Sequence, residues 1–196
     1  MANSPASVVN KIRGIPFFGA PLPVPTFLGA PPLIGGFTTG NTWWVSSTHG
    51  NATSAGGEDP VFPNSSISNL ISRDDPVANN GDIIYVMPGH VETIPATDLA
   101  IDIAGLQIIG LGHGASRPQL NLTATGSTIA VSAASTLLYN LLITGGIDNI
   151  TTVLTLTAAD FTMIHCAYRD VTGQCAQFLT ASAAANRALV NGFTYE

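Results

Sequence analysis

The chain has 196 residues, of which 45% are hydrophobic and only 9% carry a charge, and this length fits one domain with an appendage. Its formal net charge is −6 and its six Lys and Arg residues are scattered, which argues against nucleic-acid binding because that needs clustered basic side chains. The sequence has no run of about 18 apolar residues, the length that predicts a membrane span. We therefore expect neither nucleic acid nor a membrane among the partners.

Residues 1–39 are predicted to form an extended, proline-rich docking arm. Seven of the 13 prolines lie between Pro5 and Pro32, a density that rules out helix interiors and central strands. The segment also carries large apolar residues that an extended chain cannot bury against itself, so it needs another surface. The residues expected to make that contact are Phe17, Phe18, Pro21, Pro23, Val24, Phe27, Leu28 and Leu33. The alternative is an unstructured tail, although such tails are normally poor in aromatic residues.

Residues 40–96 are predicted to form a first strand, a loop and a capping helix. The strand carries Trp43 and Trp44, and the loop after it is dense in turn-forming residues. Ser65 or Ser66 is placed to cap a short helix whose apolar side chains, at positions 67, 70 and 71, share one face. Such a helix would cover the open end of a stack of coils.

Residues 97–196 contain one short sequence motif four times, beginning at Ala104, Ala134, Ala159 and Ala185. The copies lie about 25 to 30 residues apart, which is a repeat length of solenoids. Before each motif, apolar residues alternate along the chain, so every second side chain points to the same side of a strand. The pattern predicts an all-β fold, a short parallel β-helix of about four coils.

Superposing the four copies predicts three inward-facing columns of side chains. The first column contains Leu99, Ile129, Leu154 and Thr180, the second Ile101, Val131, Leu156 and Ser182, and the third Ile108, Leu138, Met163 and Leu189. The turn after the third column is predicted to hold Gly110, Asn140, His165 and Asn191. These residue types suit a bend because they tolerate left-handed backbone or bond to their own backbone.

The residues next to the third column are predicted to point outward, because neighbours in a strand alternate. They are Ile109, Tyr139, Ile164 and Val190. An outward row of apolar side chains needs a partner, and we expect it to join the subunits of a homo-oligomer. The last residues form a strand-like phrase without a capping helix, which favours the same expectation. The alternative is that these residues point inward because a bulge shifts the alternation.

Three stretches of the chain carry a family resemblance. They are Gly40-Asn-Thr-Trp-Trp-Val, Asn79-Asn-Gly-Asp-Ile-Ile-Tyr-Val-Met-Pro-Gly-His90 and Gly105-Leu-Gln-Ile-Ile-Gly-Leu-Gly-His-Gly-Ala-Ser-Arg-Pro118. Their succession resembles the opening of pectate-lyase-like right-handed β-helix proteins, especially those among the structural proteins of tailed bacteriophages. The resemblance covers roughly residues 38–196 and leaves the arm outside.

The resemblance implies a right-handed solenoid that is part of a virion and lies on the capsid surface. It implies a capsid decoration or cement protein, a homotrimer whose arms bind the major capsid protein and stabilise the phage head. Two alternatives stay open. One is a tail or baseplate fibre module that binds host glycans, and the other, less favoured, is a polysaccharide-degrading β-helix enzyme.

Candidate catalytic residues are few, and we expect no enzymatic activity, no catalytic residue, no cofactor and no metal. Gly112-His113-Gly114 matches a tripeptide of the polygalacturonases, but the paired carboxylates that such hydrolysis needs do not follow it. His90 is close to Glu92, which permits a metal or acid–base pair but fits a hydrogen-bonded loop histidine better. Cys166 and Cys175 fit neither a disulfide scaffold nor a metal site, and a bridge between them is the less favoured reading.

Overall fold

The computed structural model describes residues 40–51, 56–73, 75–96 and 99–196, which form short strands and one α-helix. The strands are β1 (Thr42–Val45), β2 (Ile83–Val86), β3 (Val91–Ile94), β4 (Leu99–Ile101), β5 (Gln107–Gly110), β6 (Gln119–Leu122), β7 (Ile129–Val131), β8 (Leu137–Tyr139), β9 (Leu142–Gly145), β10 (Leu154–Leu156), β11 (Thr162–Ile164), β12 (Ala167–Asp170), β13 (Leu179–Ala181), β14 (Leu189–Asn191) and β15 (Thr194–Tyr195). The helix α1 spans Ile67–Ser72, and a short 3-10 helix spans Gly114–Ser116. The predicted arm, with its eight contact residues, lies outside the described residues.

The strands form three parallel sheets that the chain visits in turn. The first sheet has the order β1-β2-β5-β8-β11-β14, the second β3-β6-β9-β12-β15, and the third β4-β7-β10-β13. Each circuit through the three sheets makes one coil, and successive coils stack in register. The chain is therefore an all-β parallel solenoid of about four coils, as the repeat predicted. The first coil begins at β2, inside the segment predicted to precede the coils.

The interior is filled by the predicted columns through the first three copies of the repeat. Leu99 pairs with Ile129 and Ile129 with Leu154 in the third sheet. In the first sheet Ile108 pairs with Leu138 and Leu138 with Met163. All of these side chains are buried. Because removing apolar surface from water stabilises by about 25 cal/mol per Å², these columns drive the coiling.

The register predicted for the last coil is wrong by one residue. Leu179, not Thr180, pairs with Leu154, and Ala181, not Ser182, pairs with Leu156. Val190, not Leu189, pairs with Met163. The physical reason is the connection from the third sheet to the first, which is longer in the last coil (residues 182–188) than in the coil before it (residues 157–161). A superposition that assumes equal connections places both flanking strands one residue out of register.

Helix α1 covers the first coil, as predicted. The hydroxyl Oγ of Ser66 accepts a 3.1 Å hydrogen bond from the backbone N–H of Asn69, which satisfies one of the free donors at a helix start. Ile67, Leu70 and Ile71 are buried in the same core as the inward columns. Within the described ranges, no helix has the length and apolar character needed to cross a membrane.

The edge of β1 is covered by the loop that precedes α1. The N–H of Trp44 donates to the carbonyl of Gly57 at 2.6 Å, and the N–H of Asn64 donates to the carbonyl of Trp44 at 2.8 Å. The N–H of Ser46 donates to the carbonyl of Asn64 at 2.8 Å. This loop therefore forms hydrogen bonds with backbone groups of β1 that would have no partner at the exposed edge of a sheet.

Candidate interaction surface

The outer face of the first sheet carries a continuous row of large side chains, here called the outer column. It runs through Trp44, Tyr85, Ile109, Tyr139 and Ile164, which are paired across successive strands. The rings of Trp44 and Tyr85 lie 4.8 Å apart, and Tyr139 meets the imidazole of His165 edge-on at 5.8 Å. Each of the five except Ile109 is partly exposed. The sheet thus presents apolar and aromatic side chains where a solvent-facing sheet normally alternates to polar ones.

Three of the four residues predicted to point outward share this outer column. Ile109, Tyr139 and Ile164 are paired in register. Ile109 is only 4% exposed and is not part of the inner core. It lies between the two larger side chains of Tyr85 and Tyr139, so it supports the column rather than offering a free surface.

Val190 does not belong to the outer column, which corrects the prediction. It pairs with Met163 and so continues an inward column, while Asn191 takes the outward place beside Ile164. The longer connection before β14 causes this shift. The role of Tyr139 and Ile164 as subunit contacts stays a prediction.

Sequence reasoning missed Trp44 and Tyr85 as members of the outer column. Both lie outside the four copies of the repeat, and the loop and α1 separate β1 from β2 in the sequence. The sequence did contain a signal, because Trp43 and Trp44 are adjacent in one strand and adjacent side chains face opposite sides, so one of the two must lie on the outer face.

The predicted turn after the first sheet links coil to coil through Asn140. Its side-chain Nδ2 donates to the carbonyls of Gly110 and Gly112, both at 2.9 Å. Asn140 has φ 54° and His165 has φ 52°, the left-handed region that few residues accept readily. Arg117 adds a hydrogen bond from its guanidinium to the carbonyl of His165.

Asn191 is not part of this turn, which corrects the fourth of the residues predicted to lie there. It is the last residue of β14 and pairs with Ile164. Gly192 takes the place in the turn, with φ 63°, and a Cβ there would lie 2.8 Å from Nδ1 of His165. Glycine therefore suits this position both by conformation and by space.

His90 and Glu92 form a buried pair beneath helix α1. Nε2 of His90 lies 3.2 Å from Oε2 of Glu92. The two carboxylate oxygens also accept hydrogen bonds from the backbone N–H groups of Ile67, at 2.8 Å, and Ser68, at 3.0 Å. The pair therefore holds the start of α1 on the first coil, and the loop-histidine reading of His90 fits this geometry.

A second polar cluster joins the last two circuits at the second sheet. Asp170 accepts hydrogen bonds from the hydroxyls of Tyr168, at 2.6 Å, and Tyr195. The pKa of Tyr168 is raised, mainly because the phenol is buried and next because of its hydrogen bond to Asp170. The hydrogen bond to Asp170 raises the pKa of Tyr195 to about 12. Both phenols therefore stay protonated at neutral pH and act as donors.

Three further observations concern metals, thiols and the Gly-His-Gly tripeptide. Among residues 40–51, 56–73, 75–96 and 99–196, no group of three or more His, Cys, Asp and Glu side chains is placed to hold a metal ion. Cys166 and Cys175 are both free thiols. His113, the centre of the Gly-His-Gly tripeptide, is exposed at the start of the 3-10 helix.

Comparison of the chain with protein-family models, with curated proteins and with solved structures finds no match. The class that the structure itself defines is the parallel β-solenoid.

Proposed function

We propose that this chain is a structural virion protein of a tailed bacteriophage, of the capsid decoration or cement type. In this proposal the solenoid forms a homo-oligomer, a trimer by the family resemblance, through its outer column. The arm of residues 1–39 binds the major capsid protein. The protein acts mechanically, by adding buried apolar area between capsid subunits and by linking several arms in one particle.

The observation that carries the proposal is the outer column. Trp44, Tyr85, Tyr139 and Ile164 remain partly exposed on one face of the first sheet. A row of this kind rarely faces water in a soluble monomer and marks a protein contact. Together with the low charge content of 9%, it favours a protein that works inside an assembly.

A glycan-binding fibre module is the second candidate. Trp44 and Tyr85 form a tilted aromatic pair, and aromatic faces are surfaces on which sugar rings stack through their C–H groups. We place it second because the outer column continues through Ile109 and Ile164, which are aliphatic.

The proposal is tested by removing the arm and measuring binding to phage heads. Empty heads of the phage that encodes the chain, prepared without it, are mixed with the protein and sedimented. We expect the full chain to sediment with the heads and a chain lacking residues 1–36 to stay in the supernatant while keeping its oligomeric mass. A matched control keeps the arm's length but replaces Phe17, Phe18, Phe27 and Leu28 by Ser, and it should also fail to bind. Equal binding by the truncated chain would overturn the arm assignment.

A further inference from the structure

Arg117 differs from the other three arginines in the described part of the chain. Arg73, Arg169 and Arg187 each form an ion pair with a carboxylate. The guanidinium of Arg117 instead donates to the backbone carbonyl of His165. Its Nε is buried and has no hydrogen-bond acceptor among the described residues. A buried donor is costly to leave unpaired, most of all when it belongs to a charged group, so this guanidinium calls for an acceptor from another molecule.

Arg117 lies beside the outer column, at the finishing end of strand β11. His165, whose carbonyl it binds, directly follows this strand. The imidazole of His165 contacts the ring of Tyr139, a member of the outer column. The unbalanced positive charge is therefore at one margin of the face that is proposed to join the subunits.

The starting end of β11 carries a negative charge, that of Asp160. Its side chain is 39% exposed, and its two oxygens accept hydrogen bonds from Nε and Nη2 of Arg187, both at 2.6 Å. Each carboxylate oxygen has a second lone pair, so Asp160 can accept from one more guanidinium. The three residues of β11 span about 10 Å, beyond the 4 Å reach of an ion pair, so Asp160 does not balance Arg117 of the same chain.

The direction in which two copies face each other decides whether these two charges meet. When the symmetry axis is parallel to the solenoid axis, each strand stays at its own level, and its starting end faces the finishing end of the same strand in the neighbour. Arg117 then meets the partner's Asp160. When a two-fold axis crosses the solenoid axis, the levels are reversed and like ends meet. The charges at the two ends of β11 are thus complementary only between parallel copies.

We propose that copies of this solenoid associate with their axes parallel, and that Arg117 of each copy binds Asp160 of the partner subunit at the margin of the outer column. The partner's carboxylate supplies the acceptor that Arg117 lacks within the described chain. A guanidinium and a carboxylate recognise each other through directed hydrogen bonds, so the pair sets the register between copies. This proposal rests on the proposed function, because it gives the orientation of the oligomer that the outer column forms.

Cross-linking between two differently labelled chains tests the orientation. Arg117→Cys and Asp160→Cys are made separately in a Cys175→Ser chain, which leaves Cys166 as a buried thiol. The two chains are co-expressed and treated with a short bismaleimide. We expect a covalent pair in the co-expressed sample and none from either chain alone, because equal positions lie on opposite margins of parallel copies. A product from one chain alone, or no product in the mixture, would overturn the proposal.

Neutral substitutions test the ion pair itself. Asp160→Asn removes the charge and suits the left-handed backbone at this position, where φ is 61°. We expect it to raise the dissociation constant of the oligomer about tenfold. Arg187→Gln, which removes the partner of Asp160 within the chain, should not weaken association. Asp102→Asn, which removes an exposed carboxylate from the same margin two coils away, should not weaken it either.

The controls separate this proposal from the one on which it rests. An unchanged dissociation constant for Asp160→Asn, or an equal loss for Asp102→Asn, would overturn the ion pair while the outer column still joined the copies. A wild-type chain that sediments as a single chain would overturn both proposals. Sedimentation equilibrium of the same samples distinguishes these results.

Discussion

Oε2 of Glu92 accepts a hydrogen bond of 2.8 Å from the backbone N–H of Ile67, the first residue of α1. Glu92 is the first member of an inward column whose next members, Leu120, Ile143 and Tyr168, are buried core residues. One carboxylate at the covered end of the column therefore replaces an apolar side chain. It joins the helix to the coils because a helix start leaves N–H groups without partners.

Glu92→Ala is expected to lower the free energy of unfolding by roughly 2–4 kcal/mol, because it leaves two backbone donors and His90 without an acceptor. Glu92→Gln keeps one acceptor oxygen and should lose about half as much. Urea unfolding measures both. Glu58→Ala removes the same charge from an exposed loop position, and a loss as large as that of Glu92→Ala would contradict the capping role.

Asn140 is expected to stabilise the turn in two separable ways. Asn140→Gly removes the hydrogen bonds to Gly110 and Gly112 and should cost about 1–2 kcal/mol. Asn140→Ala should cost about 1 kcal/mol more, because alanine also resists the left-handed backbone. His165→Gly, at a similar φ, should change stability little. A melting temperature of the Asn140→Ala chain above that of the Asn140→Gly chain would contradict this account.

The thiol of Cys166 is expected to resist alkylation in the folded protein. Burial raises its pKa from 9.0 to about 11, so little thiolate, the reactive form, is present at pH 9. A raised pKa stabilises the folded state below pH 9.0, and this contribution is lost as the pH rises toward 11. In a Cys175→Ser chain, iodoacetamide should label Cys166 quickly only after unfolding in urea. Equal rates in the folded and unfolded chain would refute this.

The alternation of β8 makes a prediction about two adjacent leucines. Leu138 is buried in the core, whereas Leu137 is partly exposed on the outer side of the same strand. Leu138→Ala should lower the free energy of unfolding by about 2–5 kcal/mol, since it leaves a cavity. Leu137→Ala should cost less than about 1 kcal/mol. Equal losses in urea unfolding would show that the strand does not have one inward face.

Most of the fold follows from local patterns. The alternation through Leu99, Ile129 and Leu154, and the bends at Asn140 and His165, predict the coils because the connection from the third sheet to the first has the same length in the first three copies. Helix α1 follows from Ser66 and the spacing of three apolar residues. These features depend on nearby residues, which a single sequence displays directly.

The sequence does not show where one strand ends and the next begins, so the length of each connection between sheets is hidden. It also does not show which distant segments are in contact. Two additional residues before β14 move Val190 inward and Asn191 outward. The hydrogen-bond acceptor for the start of α1 is Glu92, which lies in strand β3, well beyond the helix in the sequence. Trp44 joins the outer column only because β1 pairs with β2 across the intervening loop and helix.

The central claim is that the outer column joins copies of this solenoid, and the mass of the particle in solution tests it most directly. Sedimentation equilibrium of the full chain should give more than one chain per particle. Ile164→Glu places a charge in the outer column and should reduce the particle to a single chain, whereas Thr155→Glu, on the outer face of the third sheet, should leave the mass unchanged. A particle of one wild-type chain, or an Ile164→Glu chain with the wild-type mass, would contradict the claim.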